Sequence, residues 1–314
     1  MKILVNDQIA GEAMELLRAR HEVDTPEFNF PELLDNIDSY DAVIVRSRTE
    51  ITSEVIQKGR NLRVIGRAGV GVDNIDVDAA TERRIPVVFS PRGSTVSVAE
   101  LAIGHMISLA RDLVRADVSV RNGKWEKKRL MGTELFGKTL GLVGAGRIGT
   151  EVAARAHAFG MKVIAFDPYL PPEVAEKHNI ELVEFLDLLK QADFISIHAV
   201  LTPETRGLIG ENQLEMMKST AFLVNCARGG IIDESALTIA IEAKHIAGAA
   251  LDVFENEPLG ESELTKYDRI HFTPHLGAST REAQVRAGTI VAEQVLKVLD
   301  GERPDQIVNK KIYD

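Results

Sequence analysis

Residues 139–169, TLGLVGAGRIGTEVAARAHAFGMKVIAFDPY, constrain the fold more than any other stretch of the 314. The apolar run 140–143 has the length of one buried strand, and Gly144, Gly146 and Gly149 follow it in GxGxxG order. A helical pattern then runs over 148–159 to Gly160, and a second apolar run, 163–166, closes on Asp167. Each part has its own physical reason. Gly144 permits a tight turn, Gly146 lets backbone approach a pyrophosphate, and Gly149 lets helix and strand pack closely. The helix start offers unpaired N–H groups and a partial positive charge to that anion. Asp167 stands where a carboxylate meets the adenosine ribose hydroxyls, and its charge repels a 2′-phosphate. A glycine-rich turn alone is weak evidence, but all five parts in register predict a Rossmann unit that binds NAD rather than NADP.

Size and charge set the frame. A chain of 314 residues has room for two domains, each with its own core. The formal charge of −10 argues against nucleic-acid or anionic-membrane partners, so an acidic substrate needs a local cluster of arginines. The single cysteine, Cys226, rules out an intrachain disulfide and suits a reducing compartment. No apolar run approaches the ~18 residues of a membrane helix, and the N-terminus enters a strand directly. Neither a membrane span nor a signal peptide is expected, and the cytoplasm is the expected location.

Residues 1–90 alternate short apolar runs with helical patterns, the signature of a parallel sheet built from βα units. Strands are predicted over 2–5, 22–24, 42–45, 63–65 and 86–89, with helices such as 11–18 and 52–58 between them. This describes a small doubly wound domain, whose ligands gather outside the carboxyl ends of the strands. Two features lie there. In VIVRSRT, Arg46 and Arg48 are two apart and share a face if the strand continues, which suits a phosphate or carboxylate; solvation is the plainer alternative, above all for Arg48. In GRAGVGVDNID, Gly69 and Gly71 expose N–H groups that can cradle a carboxylate, the alternative being a tight connection.

From Ser94 the pattern STVSVAELAIGHMISLARDLVRADVSVRNGKW predicts one long helix crossing between domains, capped by Ser94 or Thr95. His105 within it is expected to be packed rather than catalytic. The basic run RNGKWEKKR reads as a solvated face whose cations are available to a substrate phosphate. Strands predicted over 194–198, 221–225, 248–253 and 269–273 bring the second sheet to six, the number in a complete dinucleotide-binding sheet. A helix over 280–299 returns the chain to the first domain, where a last strand, 306–310, docks. The expected domains are 1–95 with 286–314, and 96–285.

Three residues stand out at the strand ends: Arg228 in NCARGG, Glu257 in ENEP and His275 in PHLGAST. Hydride transfer between a nicotinamide and a 2-oxo acid needs a cation to hold the carboxylate and polarise the carbonyl, and Arg228 is a permanently charged fork. It also needs a proton donor for the developing alkoxide, and an imidazole ordinarily titrates near pH 6.5. A carboxylate beside that ring favours its charged form and orients it. Singly, each of these is more often a surface residue; together, on successive strand ends beside the glycine turn, they predict an active site. His198, also at a strand end, is the nearest competitor to His275. No HExxH or paired Cys/His spacing occurs, so no metal is expected.

VRSRT, GRAGVGVDNID, SVAELA, GKWEKKRLMGTEL, LGLVGAGRIG, LTPETRGLI, NCARGGIIDE, ALDVFENEP and TPHLGAST span nearly the whole chain. On these motifs it resembles the D-isomer-specific 2-hydroxyacid dehydrogenases, and within them the members that oxidise 3-phospho-D-glycerate to 3-phosphooxypyruvate, opening the phosphorylated route to L-serine. The resemblance implies a flavodoxin-like substrate domain made from both chain ends, a Rossmann NAD-binding domain, and a homodimer joined through the latter. It implies that Arg228, Glu257 and His275 are catalytic. NAD would be lined by Gly144, Gly146, Arg147, Ile148, Gly149, Asp167, Ala199, Cys226, Ala227, Asp252, Gly277 and Ala278, with Asp252 at the nicotinamide carboxamide. Val70 and Gly71 would meet the substrate carboxylate, Arg46 the phosphate, and Ser94 the substrate. Two departures stand out. Ser94 occupies a position where those members commonly carry Asn, and the chain stops at Asp314 without an appended regulatory domain, so no feedback inhibition by L-serine is expected. The alternatives are a hydroxypyruvate or glyoxylate reductase using the same three residues, and an NADH-sensing binding protein of the corepressor kind.

Overall fold

Runs of four or five aliphatic residues between helical patterns suit parallel strands covered on both faces. The computed structural model, which describes all 314 residues, has that organisation in two compact units, Met1–Thr95 with Ala278–Asp314, and Val96–Gly277.

The first unit contains β1 (Lys2–Val5), α1 (Gly11–Arg18), β2 (Glu22–Asp24), α2 (Phe30–Asn36), β3 (Ala42–Val45), α3 (Ser53–Lys58), β4 (Val64–Arg67), α4 (Val77–Glu82) and β5 (Val87–Phe89). The strands pair in parallel in the order β2-β1-β3-β4-β5, the flavodoxin-like arrangement expected. Local sequence starts the helices: Asn29 and Glu32 form a reciprocal capping box on α2, and Thr52 and Asp76 accept from the first turns of α3 and α4. The C-terminal segment docks here with a single antiparallel bridge, Ile307 to Val88, rather than the strand predicted over 306–310. Buried Asn309 holds it, accepting from the Val87 amide at 2.9 Å and donating to the Ile85 carbonyl at 2.9 Å.

The chain continues through α5 (Thr95–Arg111), α6 (Leu113–Arg121), β6 (Thr139–Val143), α7 (Arg147–Ala158), β7 (Lys162–Phe166), α8 (Pro172–Lys177), β8 (Glu181–Leu182), α9 (Phe185–Gln191), β9 (Phe194–Ile197), α10 (Glu211–Met216), β10 (Phe222–Asn225), α11 (Glu234–Glu242), β11 (Gly248–Leu251) and β12 (Ile270–Phe272). Their strands form one parallel sheet in the order β12-β11-β10-β9-β6-β7-β8. Finally α12 (Arg281–Leu299) belongs to the first unit, where Val291, Ala292 and Val295 enter the core with Ile3, Ile44 and Val64.

Three further expectations are corrected. The second sheet has seven strands, not six, because the two exposed residues of β8 give too short a run to read as a strand. The helix expected to run unbroken from Ser94 ends at Arg111: Asp112 takes a left-handed conformation (φ 52°) and α6 starts anew. The Ala110 carbonyl, which would serve the continuing helix, accepts instead from the Thr133 amide at 2.8 Å, and the Asp112 carboxylate accepts from Arg115 at 2.6 Å. The return crossing falls between Gly277 and Ala278, ahead of the boundary expected at 285/286, because all of α12 packs with the first unit.

Candidate active site

Neighbouring β6 and β9 are followed by connections that leave the second sheet in opposite directions, the switch point where doubly wound sheets bind ligands. The glycine turn lies there. Gly144 has φ 90°, and a Cβ on it would stand 2.9 Å from the Ala199 amide nitrogen. Gly146 opens α7 with no side-chain cap, and nothing lies within 4 Å of where its Cβ would be. A bare backbone cradle over an uncapped helix start fits a pyrophosphate. Arg147 beside it is exposed, and Ile148 half-buried. The Asp167 carboxylate accepts from the Ala145 amide at 2.8 Å and the Tyr169 amide at 2.9 Å, tying the end of β7 to the turn.

Arg228, Glu257 and His275 follow β10, β11 and β12, three adjacent parallel strands, so all three emerge at one edge of the sheet. His275 Nδ1 lies 2.7 Å from Glu257 Oε2. A carboxylate only accepts, so the shared proton sits on Nδ1 and the neutral ring keeps its lone pair on Nε2. The other oxygen, Glu257 Oε1, accepts from the Phe254 amide at 3.1 Å. The Arg228 loop is shaped by buried Asn225, whose amide donates to the Arg228 carbonyl at 2.9 Å and accepts from the Ala227 amide at 3.0 Å. Arg228 Nη1 donates to the Ala227 carbonyl at 2.7 Å. This loop lies directly against the Glu257 loop, since a Cβ on Gly229 would stand 1.7 Å from the Phe254 carbonyl oxygen. The Glu255 amide is held in turn by Glu234 at 2.7 Å.

Asp252 is fully buried, and three donors already engage its carboxylate: the Thr273 hydroxyl and Leu276 amide, each at 2.6 Å, and the Gly277 amide at 2.8 Å. It clamps the loop that carries His275, whose backbone is left-handed (φ 53°), an unusual state for a side-chain-bearing residue that surrounding contacts must enforce. Thr273 spends its one proton on Asp252, so it accepts from His105 Nε2 at 3.1 Å. His105 is thus packed, as expected, and burial pushes its pKa down. Asn225, Thr273 and Glu234 escaped sequence reading. A polar residue one step from a catalytic one is the only signal they leave, and it is a faint one.

His198 does not compete with His275. Its Nε2 meets the Ser196 hydroxyl at 2.9 Å, its Nδ1 is buried without a partner, and burial pushes its pKa down to about 4. Cys226 is a buried free thiol whose pKa burial drives up, unsuited to nucleophilic work. Ala227 is half-buried; Gly277 is buried, and Ala278 groups with the first unit.

In the first unit the two arginines do not act as a pair, and Arg48, expected to be solvated, is bound to its own fold. Strand β3 ends at Val45, and Arg48 turns back to give an ion pair with Asp7, 3.0 Å from Nε to Oδ1, and a further bond to the Asn6 carbonyl. Arg46 alone remains as the free cation of the motif, with one long contact (3.4 Å) to the Gln8 carbonyl. Asp7 is buried, which alone would raise its pKa. Donation from the Thr49 hydroxyl, the Arg46 and Thr49 amides and Arg48 outweighs this and holds it below the usual carboxylate range. Val70 and Gly71 are half-buried after β4, and Ser94 is buried.

The profile of the family described as D-isomer specific 2-hydroxyacid dehydrogenase, NAD binding domain, matches residues 103–277. The chain belongs to this NAD-binding oxidoreductase family. It is 52% identical over 311 residues to a D-3-phosphoglycerate dehydrogenase of Methanocaldococcus jannaschii, covering 98% of this chain and 59% of that protein. The chain spans little more than half the length of curated relatives such as this one, 54% to 59%. Among solved structures it superposes on the TT0316 protein of Thermus thermophilus with a TM-score of 0.91 at 36% identity, covering 98% of this chain and all of that one. A glyoxylate reductase from Paecilomyes thermophila gives 0.89 at 34% identity, with 99% of each chain covered. No helix is long and apolar enough to cross a membrane, and no group of three or more His, Cys, Asp or Glu is placed to hold a metal ion.

Proposed function

We propose that this chain catalyses the NAD-dependent oxidation of 3-phospho-D-glycerate to 3-phosphooxypyruvate. The observation that carries the reading is the His275–Glu257 pair, 2.7 Å apart on the strand edge that also bears Arg228. Bound NAD would supply the hydride acceptor for substrate C2. His275 takes the C2 hydroxyl proton on Nε2 as that hydride leaves, and in the reverse direction returns it to the oxygen. Glu257 fixes the tautomer and the ring plane and balances the charge the ring gains. Arg228 holds the substrate carboxylate and stabilises negative charge on the reacting oxygen. Gly144, Gly146, Arg147, Ile148 and Gly149 take the pyrophosphate and Asp167 the ribose, while Ala199, Cys226, Ala227, Gly277 and Ala278 line the remainder. Asp252 serves the carboxamide with the acceptor capacity its clamp leaves on Oδ2. Val70 and Gly71 cradle the carboxylate, Ser94 adds a short contact, and Arg46 takes the phosphate.

The same reading makes the protein a cytoplasmic homodimer without nucleic-acid partners, supported by its net charge of −10 and its buried free cysteine. The second unit presents Leu113, Val114, Val118, Val120, Trp125 and Met131 to solvent, an apolar face suited to a second copy. The glyoxylate reductase likeness favours a second reading, reduction of an unphosphorylated 2-oxo acid. NADH oxidation measured over 3-phosphooxypyruvate, hydroxypyruvate, glyoxylate, pyruvate and oxaloacetate separates the two. The highest kcat/KM is expected with 3-phosphooxypyruvate, and a clear preference for glyoxylate or hydroxypyruvate overturns the proposal.

A further inference from the structure

Two segments of the first unit are assigned to the two ends of the substrate: the turn around Val70 and Gly71 to the carboxylate, and Arg46 to the phosphate. They are built as one piece. Asn74, three residues beyond Gly71, donates from its single side-chain nitrogen to two carbonyls of the arginine segment, Arg46 at 2.8 Å and Thr49 at 2.6 Å. Beneath it the backbones lock in parallel: the Ile51 amide donates to the Asn74 carbonyl at 2.8 Å, and the Asp76 amide to the Ile51 carbonyl at 2.9 Å. From the opposite side the Arg46 amide donates to Asp7 Oδ2 at 2.6 Å. Both backbone polar groups of Arg46 are therefore held by side chains, one from the segment after β1 and one from the glycine turn after β4. The Arg46 guanidinium carries almost nothing of its own, while that of Arg48 is bound to Asp7 and the Asn6 carbonyl. A backbone fixed at both ends beneath a side chain left open is the arrangement of a positioned cation.

We propose that Asn74 is a specificity-determining positioning residue: by fastening the Arg46 segment to the glycine turn it sets the span between the groups that take the substrate carboxylate and phosphate. The inference rests on the assignment of Arg46 to the phosphate. A substrate that lacks the phosphate has no use for the span, so Asn74 acts on phosphorylated substrates and is neutral toward their unphosphorylated counterparts.

The test compares 3-phosphooxypyruvate with hydroxypyruvate, which differ only in the phosphate, for wild type, Arg46→Ala, Asn74→Ala and the double variant. Misplacing a charge-assisted contact worth ~1.5–3 kcal/mol should raise KM for 3-phosphooxypyruvate about tenfold or more in Asn74→Ala. KM and kcat for hydroxypyruvate should stay close to wild type. The double variant should be no worse toward the phosphorylated substrate than Arg46→Ala alone, because both changes remove one contact. Equal rises in KM for both substrates, or additive losses in the double variant, would reduce Asn74 to a structural residue and overturn the proposal. If Arg46→Ala leaves the 3-phosphooxypyruvate KM unchanged, the phosphate assignment itself fails and the span falls with it. Asn74→Ser, with one hydroxyl in place of two N–H bonds, should show the same split at smaller amplitude and carries the test if the alanine variant does not fold.

Discussion

At the scale of single residues, the proposed chemistry rests on a few side chains whose neighbours are polar and partly or fully buried. His275 is useful because Glu257 claims Nδ1 and because Asp252 and Thr273 hold its loop in a left-handed turn. Two effects of different size follow. Removing the imidazole in His275→Ala should cost about 10²- to 10⁴-fold in kcat, the usual worth of a positioned acid-base group, with NADH affinity by fluorescence titration retained. In Thr273→Val the ring remains, but Asp252 loses one donor and His105 its acceptor. Here kcat should fall by a smaller factor, and Thr273→Ser should restore it by returning the hydroxyl. A Thr273→Val variant as active as wild type would show that the clamp does not need its third donor. That Arg228, Glu257 and His275 are candidates was legible in the chain because their chemistry is distinctive, and they do follow three adjacent strands. The bonds of Asn225, Thr273 and Asn74 were not legible, since a polar side chain carries no mark of which distant group it will meet.

At the scale of elements, the strand-glycine-helix unit was readable because its parts are contiguous and each is forced by local sterics. The switch-point strand β9 adds something the sequence concealed. His198, the residue after it, has one ring nitrogen paired to Ser196 and the other shut away from solvent without a partner, which disfavours the charged ring. An unfolded histidine takes up a proton near pH 6.5, the folded one only at about 4. Because the folded pKa is the lower, the unfolded state binds more protons in this window, and stability falls as pH drops from 6.5 to 4. This contribution is complete above pH 6.5 and lost on passing below about 4. Urea unfolding at pH 7 and pH 5 should show part of this loss in wild type and a flatter dependence in His198→Gln. An unchanged slope would show that the ring is hydrated in solution. The break at Asp112 belongs to this scale as well. Helical periodicity runs straight through it, and what ends α5 is an amide twenty-three residues later that takes the Ala110 carbonyl.

At the scale of the whole molecule, the chain builds its first unit from both ends, and α12 returns to it through Val291, Ala292 and Val295. The apolar face of the second unit, with Trp125 84% and Met131 87% exposed, is expected to be covered by a second copy. Light scattering should therefore report a dimer, and Val114→Glu with Val118→Glu, one helical turn apart on α6, should shift it toward monomer by placing charge there. A wild-type monomer at micromolar concentration would leave the face without its proposed partner. Sequence alone determined what depends on neighbours along the chain: the alternation of strands and helices in both units, the glycine turn with its acid, and nearly every strand. Periodicity and turn sterics act over a handful of residues and survive in any context. Tertiary structure decided what depends on partners far apart in the chain. It sent Arg48 to Asp7 and left Arg46 open, stopped α5 at Arg111, gave all of α12 to the first unit, and made Asp252 a clamp. A hydrogen-bonding group takes whichever partner the fold brings within about 3 Å, and that choice exists only once the strands are side by side.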